Sequence, residues 1–106
     1  MAVINPSRVD GQFSSTITWA AVTTADTGAA IDIADLEDIN TIQVTSAGAG
    51  TAQMRRSNDG TNFVNWGTPL AVGITDQAAT ATRRLDIGAV ATATVTVTLC
   101  ANRRRP

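Results

Sequence analysis

The fourteen residues QMRRSNDGTNFVNW, Gln53 to Trp66, decide how this chain folds. At their centre stand Ser57, Asn58, Asp59 and Gly60. Asn, Asp and Gly tolerate positive φ, and Asn and Asp side chains bond back to their own backbone. Such a cluster between two runs of alternating apolar residues predicts a tight β-hairpin. Before the turn, Ala52 and Met54 fall on one face and Gln53 and Arg55 on the other. After it come Phe63 and Trp66, with an irregularity expected between them, and both aromatics are assigned to the core. Asn58, Asp59 and Gly60 are therefore structural turn residues.

Outward from the hairpin, the rest of the chain also alternates with period two. From Phe13 to Thr23, Phe13, Ile17, Trp19 and Ala21 share one face, and Ser14, Thr16 and Thr18 the other. A turn is expected at Ala25 to Gly28, then a short strand from Ala30 to Ile33 with Ile31 and Ile33 inward. Ala34 to Asp38 forms an acidic connection, at most one helical turn, too short to stand as a helix. Ile39 to Ser46 is the next strand, with Ile42 and Val44 inward. Leu70, Val72 and Ile74 alternate after the break at Gly67-Thr68-Pro69. Ala79, Ala81, Arg83, Leu85 and Ile87 share a face, on which Arg83 is the odd member: it either snorkels from the sheet rim or contacts another subunit. Gly88 is read as the turn into a last strand, Val90 to Cys100. There Ala91, Ala93, Val95, Val97 and Leu99 face one way and four threonines the other. This regularity predicts a central strand.

Seven or eight short strands without a convincing helix predict an all-β, antiparallel β-sandwich, jelly-roll-like in its eight-stranded form. Residues 1–11, with turn signals at Asn5-Pro6 and Asp10-Gly11, read as an extended N-terminal arm. Residues 12–101 form the sandwich domain, and residues 102–106 a basic C-terminal tail.

With 106 residues the chain makes one domain. Its hydrophobic share of 43% is largely alanine and only 4% is aromatic, so the core is thin and support from partner subunits is expected. Charged residues are 16%, below the roughly 25% of typical soluble domains. Because interface cores are depleted in charge, this favours an exterior covered by neighbours, or else a threonine-rich surface facing water. The net charge of −1 disfavours nucleic acid as a partner. All eight cations are arginines, which suit planar, fixed contacts. A single cysteine, Cys100, has no internal partner, which fits a reducing compartment. The N-terminus lacks the pattern of a signal peptide, and no run of apolar residues is long enough for a membrane span.

The residues offer little chemistry. Without histidine, Ser/His/Asp and Cys/His arrangements are excluded. The carboxylates Asp32, Asp35, Glu37 and Asp38 could serve as an acid pair or a weak Ca²⁺ site, but no His or Cys accompanies them and their spacing is not that of an EF-hand loop. A solvated corner accounts for them. Ala47 to Gly50 is no phosphate-binding loop, since no GK[ST] follows. No enzyme activity, metal or cofactor is expected.

The order of signals carries a resemblance. TGAAIDIADLEDINTIQV (Thr27 to Val44), GTAQMRRSNDGTNFV (Gly50 to Val64), and RRLDIG followed by a Val/Thr-rich strand (Arg83 to Leu99) resemble a family of small bacteriophage virion proteins. Met54-Arg55-Arg56 departs from that pattern, which more often has an aromatic and a small or acidic residue before the Ser. The resemblance implies a capsid decoration, or cement, protein. Such a protein is made in the host cytoplasm and located on the virion head, often as a homotrimer bound to the major capsid protein. The alternatives are a tail or neck structural protein, or a carbohydrate- or receptor-binding module of a tail fibre. Arg83, Arg103, Arg104 and Arg105 are the candidate partner-binding residues. The three terminal arginines would clamp carboxylates of a neighbouring subunit in bidentate fashion. Removal of residues 102–106, Asn102 to Pro106, is expected to leave folding intact, with Leu99 closing the core.

Overall fold

A computed structural model describes residues 2–76 and 84–103. The described residues contain no helix and ten strand segments: β1 (Val3–Ile4), β2 (Ser7–Asp10), β3 (Ser14–Val22), β4 (Thr27–Asp32), β5 (Leu36–Ser46), β6 (Thr51–Ser57), β7 (Val64–Asn65), β8 (Gly73–Asp76), β9 (Arg84–Ala91) and β10 (Val95–Arg103). They form two five-stranded sheets, ordered β1-β4-β9-β6-β7 and β2-β3-β10-β5-β8. All pairings are antiparallel except β1 with β4. From β3 to β6, and again from β8 to β10, successive strands alternate between the sheets, so each connection crosses from one layer to the other. Every second residue then faces the opposite layer.

The core follows from that period. Ile17, Trp19 and Val22 of β3, Ile42 and Val44 of β5, and Val95, Val97, Leu99 and Ala101 of β10 come from one sheet; Ala52 and Met54 of β6 and Leu85, Ile87 and Val90 of β9 come from the other. Trp19 is fully buried and its indole N–H donates to the Ala29 carbonyl at 2.9 Å, satisfying the polar end of the largest core side chain. β10 lies at the centre of its sheet, as its alternation predicts.

The hairpin has the expected faces. Ala52 and Met54 are buried, Gln53 and Arg55 are half-buried, and β6 turns back to β7 with Arg55 opposite Asn65 and Arg56 opposite Val64. Gly60 has φ +76°.

In several places the pairing overrides simple alternation. Phe13 precedes β3 and is 57% exposed rather than inward. At the other end of β3, Val95 pairs with Val22 but Val97 with Trp19, so β3 carries one extra residue. This bulge puts Ala21 at φ 53°, turns it outward and seats Val22 in the core. Gly88 is not a turn but lies inside β9, where a Cβ would meet the Arg55 side chain at 2.6 Å. The chain reverses instead at residues 92–94, with Thr92 at φ 76°, so Ala91 is exposed and the regular face of the last strand begins at Val95. Leu70 is buried and bridges to Ala52 in one sheet, whereas β8 pairs with β5 in the other. The chain changes sheets between them, which leaves Val72 and Ile74 48% and 67% exposed. The acidic connection is a turn at Ala34–Asp35, closed by Leu36 N–H donating to Ile33 O, and β5 starts at Leu36.

Candidate interaction surfaces

The two outer faces differ in chemistry. Opposite the core side of β9 and β6, the β4–β9–β6 face carries Asp32, Arg84, Asp86 and Arg55. Their register places Asp32 beside Arg84 and Asp86 beside Arg55. Arg55 grips Asp86 with two parallel bonds, Nε to Oδ1 at 2.9 Å and Nη2 to Oδ2 at 2.6 Å, while the Asp86 side chain is only 8% exposed. The guanidinium also lies 5.3 Å from the Phe63 ring centroid. Hydrogen bonding to Asp86 raises the Arg55 pKa above its ordinary value. Met54 thus fills the core and Arg55 pairs with a nearly buried carboxylate. Phe63 is half-buried under that cation instead of in the core, and Trp66 is 6% exposed.

Beside this pair the turn satisfies itself. Asp59 accepts the backbone N–H groups of Thr61 and Asn62, each at 2.8 Å, the Asn62 side-chain amide at 2.8 Å and the Ser57 hydroxyl at 2.9 Å. Those donors, led by the two backbone N–H groups, hold its carboxyl far below the usual range. Gly60 N–H donates to Ser57 Oγ, and Asn58 is exposed. Turn chemistry uses up the polar groups of this loop.

The face of β2–β3–β10–β5–β8 is low in charge along two rows of its register. Ser7, Thr18, Thr98, Gln43 and Ile74 form one row, and Val9, Thr16, Cys100, Thr41 and Asp76 the next, with Asp76 the single charged residue of the two. Val9 and Ile74 stand exposed at its margins. More generally, each of the four outermost strands exposes an aliphatic side chain: Val3 on β1, Val9 on β2, Val64 on β7 and Ile74 on β8. An open sheet edge that also presents an aliphatic side chain offers a partner both backbone hydrogen-bonding groups and apolar surface. Sequence reasoning missed these four because it did not assign the strands that carry them to sheet edges.

Charges gather at the N-terminal corner. Arg8 donates from Nε to Asp10 at 2.7 Å and from both Nη atoms to Asp35, one of them at 3.1 Å. Asp10 also accepts from the buried Ser15 hydroxyl at 2.5 Å. Both carboxyls are held below their ordinary values, Asp10 first by Ser15 and then by Arg8, Asp35 first by Arg8. Asp35 therefore serves as a strand anchor, and among the described residues no group of three Asp, Glu or Cys side chains is placed to hold a metal.

Of the candidate arginines, only Arg103 falls within the described residues; Arg83, Arg104 and Arg105 lie outside them. Arg103 is the last residue of β10, paired with Leu36. Its backbone N–H donates to Phe13 O at 2.8 Å and Nη1 to Gly11 O at 3.1 Å. With Phe13, Glu37 and Asn102 it lines an open crevice of about 370 Å³. The core does not close at Leu99: Ala101 is fully buried and Asn102 pairs with Ser14. Comparison with protein-family models, curated proteins and solved structures gives no match to this chain.

Proposed function

We propose that this chain is a non-enzymatic structural protein of a bacteriophage virion, a decoration protein that binds the major capsid protein on the outer head shell and stabilises it as a homotrimer. The observation that carries the proposal is the combination of a threonine-rich face of low charge with an exposed aliphatic side chain on every outermost strand. Such a surface loses little by desolvation and gains by being covered. Its order of sequence signals, similar to that of small virion proteins, supports the same role. The strand orders β3-β10-β5-β8 and β4-β9-β6-β7 support a jelly-roll winding. Arg103 spends one of its five donors on Gly11 and keeps the others for capsid carboxylates, alongside Arg83, Arg104 and Arg105. A carbohydrate module needs open aromatic platforms; Trp66 is buried and Phe63 lies under Arg55, which leaves Phe13, beside Glu37, Asn102 and Arg103, as the single exposed aromatic side chain among the described residues that such a module could use.

The test is occupancy. Purified protein is titrated onto empty shells that lack it, at two salt concentrations, and bound protein is counted after sedimentation. Saturable binding at a fixed number of sites, weaker in salt if the arginines contribute, is expected. No binding to shells, with a positive glycan screen, would replace this role by the carbohydrate module.

A further inference from the structure

The segment before β3 is attached differently from the rest of the sandwich. Residues 2–10 supply an edge strand to each sheet, β1 beside β4 and β2 beside β3. Only one of their side chains, Ile4, packs against the core. The remaining attachment is polar: Ala2 N–H to Asp26, Thr27 N–H to Ala2 O, the β1–β4 and β2–β3 ladders, the Ser15 hydroxyl to Asp10, and Arg8 to Asp35. A segment with so little buried apolar area opens at low cost compared with the core.

Among the described residues, two large exposed hydrophobics fall within this stretch, Val3 at 61% and Val9 at 70%, and Phe13 at 57% follows it. The place where the segment departs is also defined. Phe13 is tied to the body through its carbonyl and Arg103 N–H, and Gly11 through its N–H to Ser14 O and its carbonyl to Arg103 Nη1, so freedom to swing begins before Gly11. Extended from that point, the roughly nine residues back to Ala2 reach about 30 Å at about 3.3 Å each. The molecule's two shorter dimensions are 27 and 22 Å, so this reach spans a neighbouring copy.

We infer that residues 2–10 are exchanged between copies of this chain, each arm lying on the β3 and β4 edges of its neighbour. The seat itself identifies the occupant. It is already complementary to this segment, and an exchanged arm makes the same hydrogen bonds and the same Arg8–Asp35 pair in trans. What exchange adds is a crossing between copies beside residues 10–13, where Val9 and Phe13 stand exposed. Subunits crowded on a shell present neighbouring seats at high effective concentration, the condition under which linkage in trans competes with linkage in cis. The inference rests on the proposed assembly role and gives it a mechanism: the arm ties subunits together.

The exchange is read by a cross-link. Ser7 and Thr18 are directly paired across β2 and β3. A Ser7→Cys/Thr18→Cys variant, with Cys100→Ser to remove the native thiol, is treated with a short bismaleimide and run on a denaturing gel. Light scattering of the same sample before treatment gives its oligomeric state. Exchange predicts covalent multimers up to the size seen by scattering, at several-fold higher yield than with the Ser7→Cys/Cys100→Ser control. Covalent monomer alone, from a sample that scatters as an oligomer, would overturn exchange and leave the assembly role standing. Monomer by both measurements would overturn exchange and count against the assembly role. No cross-link at all would mean that Ser7 faces Thr18 in neither arrangement, which also overturns it.

Discussion

Replacing Gly60 with Val tests the physical basis of the hairpin. Gly60 sits at φ +76°, and a Cβ there would come within 1.7 Å of Arg84 Nη1. Two costs follow and can be separated. The first is backbone strain, about 1–3 kcal/mol for a β-branched residue held in the left-handed region. The second is displacement of Arg84. Its guanidinium is the far end of a flexible side chain whose ion pair with Asp32, at 3.9 Å, is largely exposed and contributes little. Gly60→Val should therefore lower Tm by about 4–8 °C for each kcal/mol of strain, as in a domain of this size. Gly60→Asn carries the same Cβ but tolerates the left-handed region, so it should lose much less. Adding Arg84→Ala removes the clash and should leave most of the valine effect in place. Differential scanning calorimetry reads all four proteins. A valine variant that melts within error of the parent, or an asparagine variant that falls as far as valine, would refute the reasoning.

Other expectations follow from the same contacts. A double-mutant cycle on Arg55 and Asp86 should give a coupling of about 1–3 kcal/mol, reduced from the value of a fully buried pair because the arginine is 35% exposed; additive single variants would dismiss the pair as a stabilising element. Acid should destabilise the fold. Asp59, Asp10 and Asp35 have folded-state pKa values below their ordinary ones, so the stability they contribute is complete above the unfolded value of about 4 and is lost as pH falls below it. Urea midpoints between pH 6 and pH 3 measure this, and Asp59→Asn should flatten the slope; an unchanged slope would contradict it. Light scattering of the purified protein and of protein released from particles should give a trimer, and a monomer in both settings would exclude one.

Much of the sandwich is legible in the sequence because its signals are local. Ile17 and Trp19, Ile42 and Val44, and Val95, Val97 and Leu99 follow the strand period with no help from tertiary structure, and all are buried. Asn58, Asp59 and Gly60 announce their turn through backbone chemistry that any hairpin needs. What could not be read depends on pairing partners distant in the chain. The bulge that exchanges Ala21 for Val22 exists because of β10, more than seventy residues on. Gly88 resembles a turn residue, yet its lack of a Cβ makes room for Arg55 from the adjacent strand. Phe13, Val72 and Ile74 look like core residues until the sheet order places them at margins. The candidate surface was hidden for the same reason: a single aliphatic residue on a short strand has meaning only once that strand is known to be an edge. Arg103 reads as part of a loose basic tail, whereas its backbone completes the ladder of β10 and its side chain holds the turn at Gly11.

The central claim is a place on the outside of a phage head, and a three-dimensional reconstruction of the virion tests it directly. Density for a two-layer β-sandwich on the outer shell, in trimeric clusters at defined positions over the major capsid protein, is the predicted result. It should vanish from particles made without this chain, and those particles should burst at lower temperature. The same density found in the tail or neck, or heads unchanged in structure and stability without the chain, would contradict it.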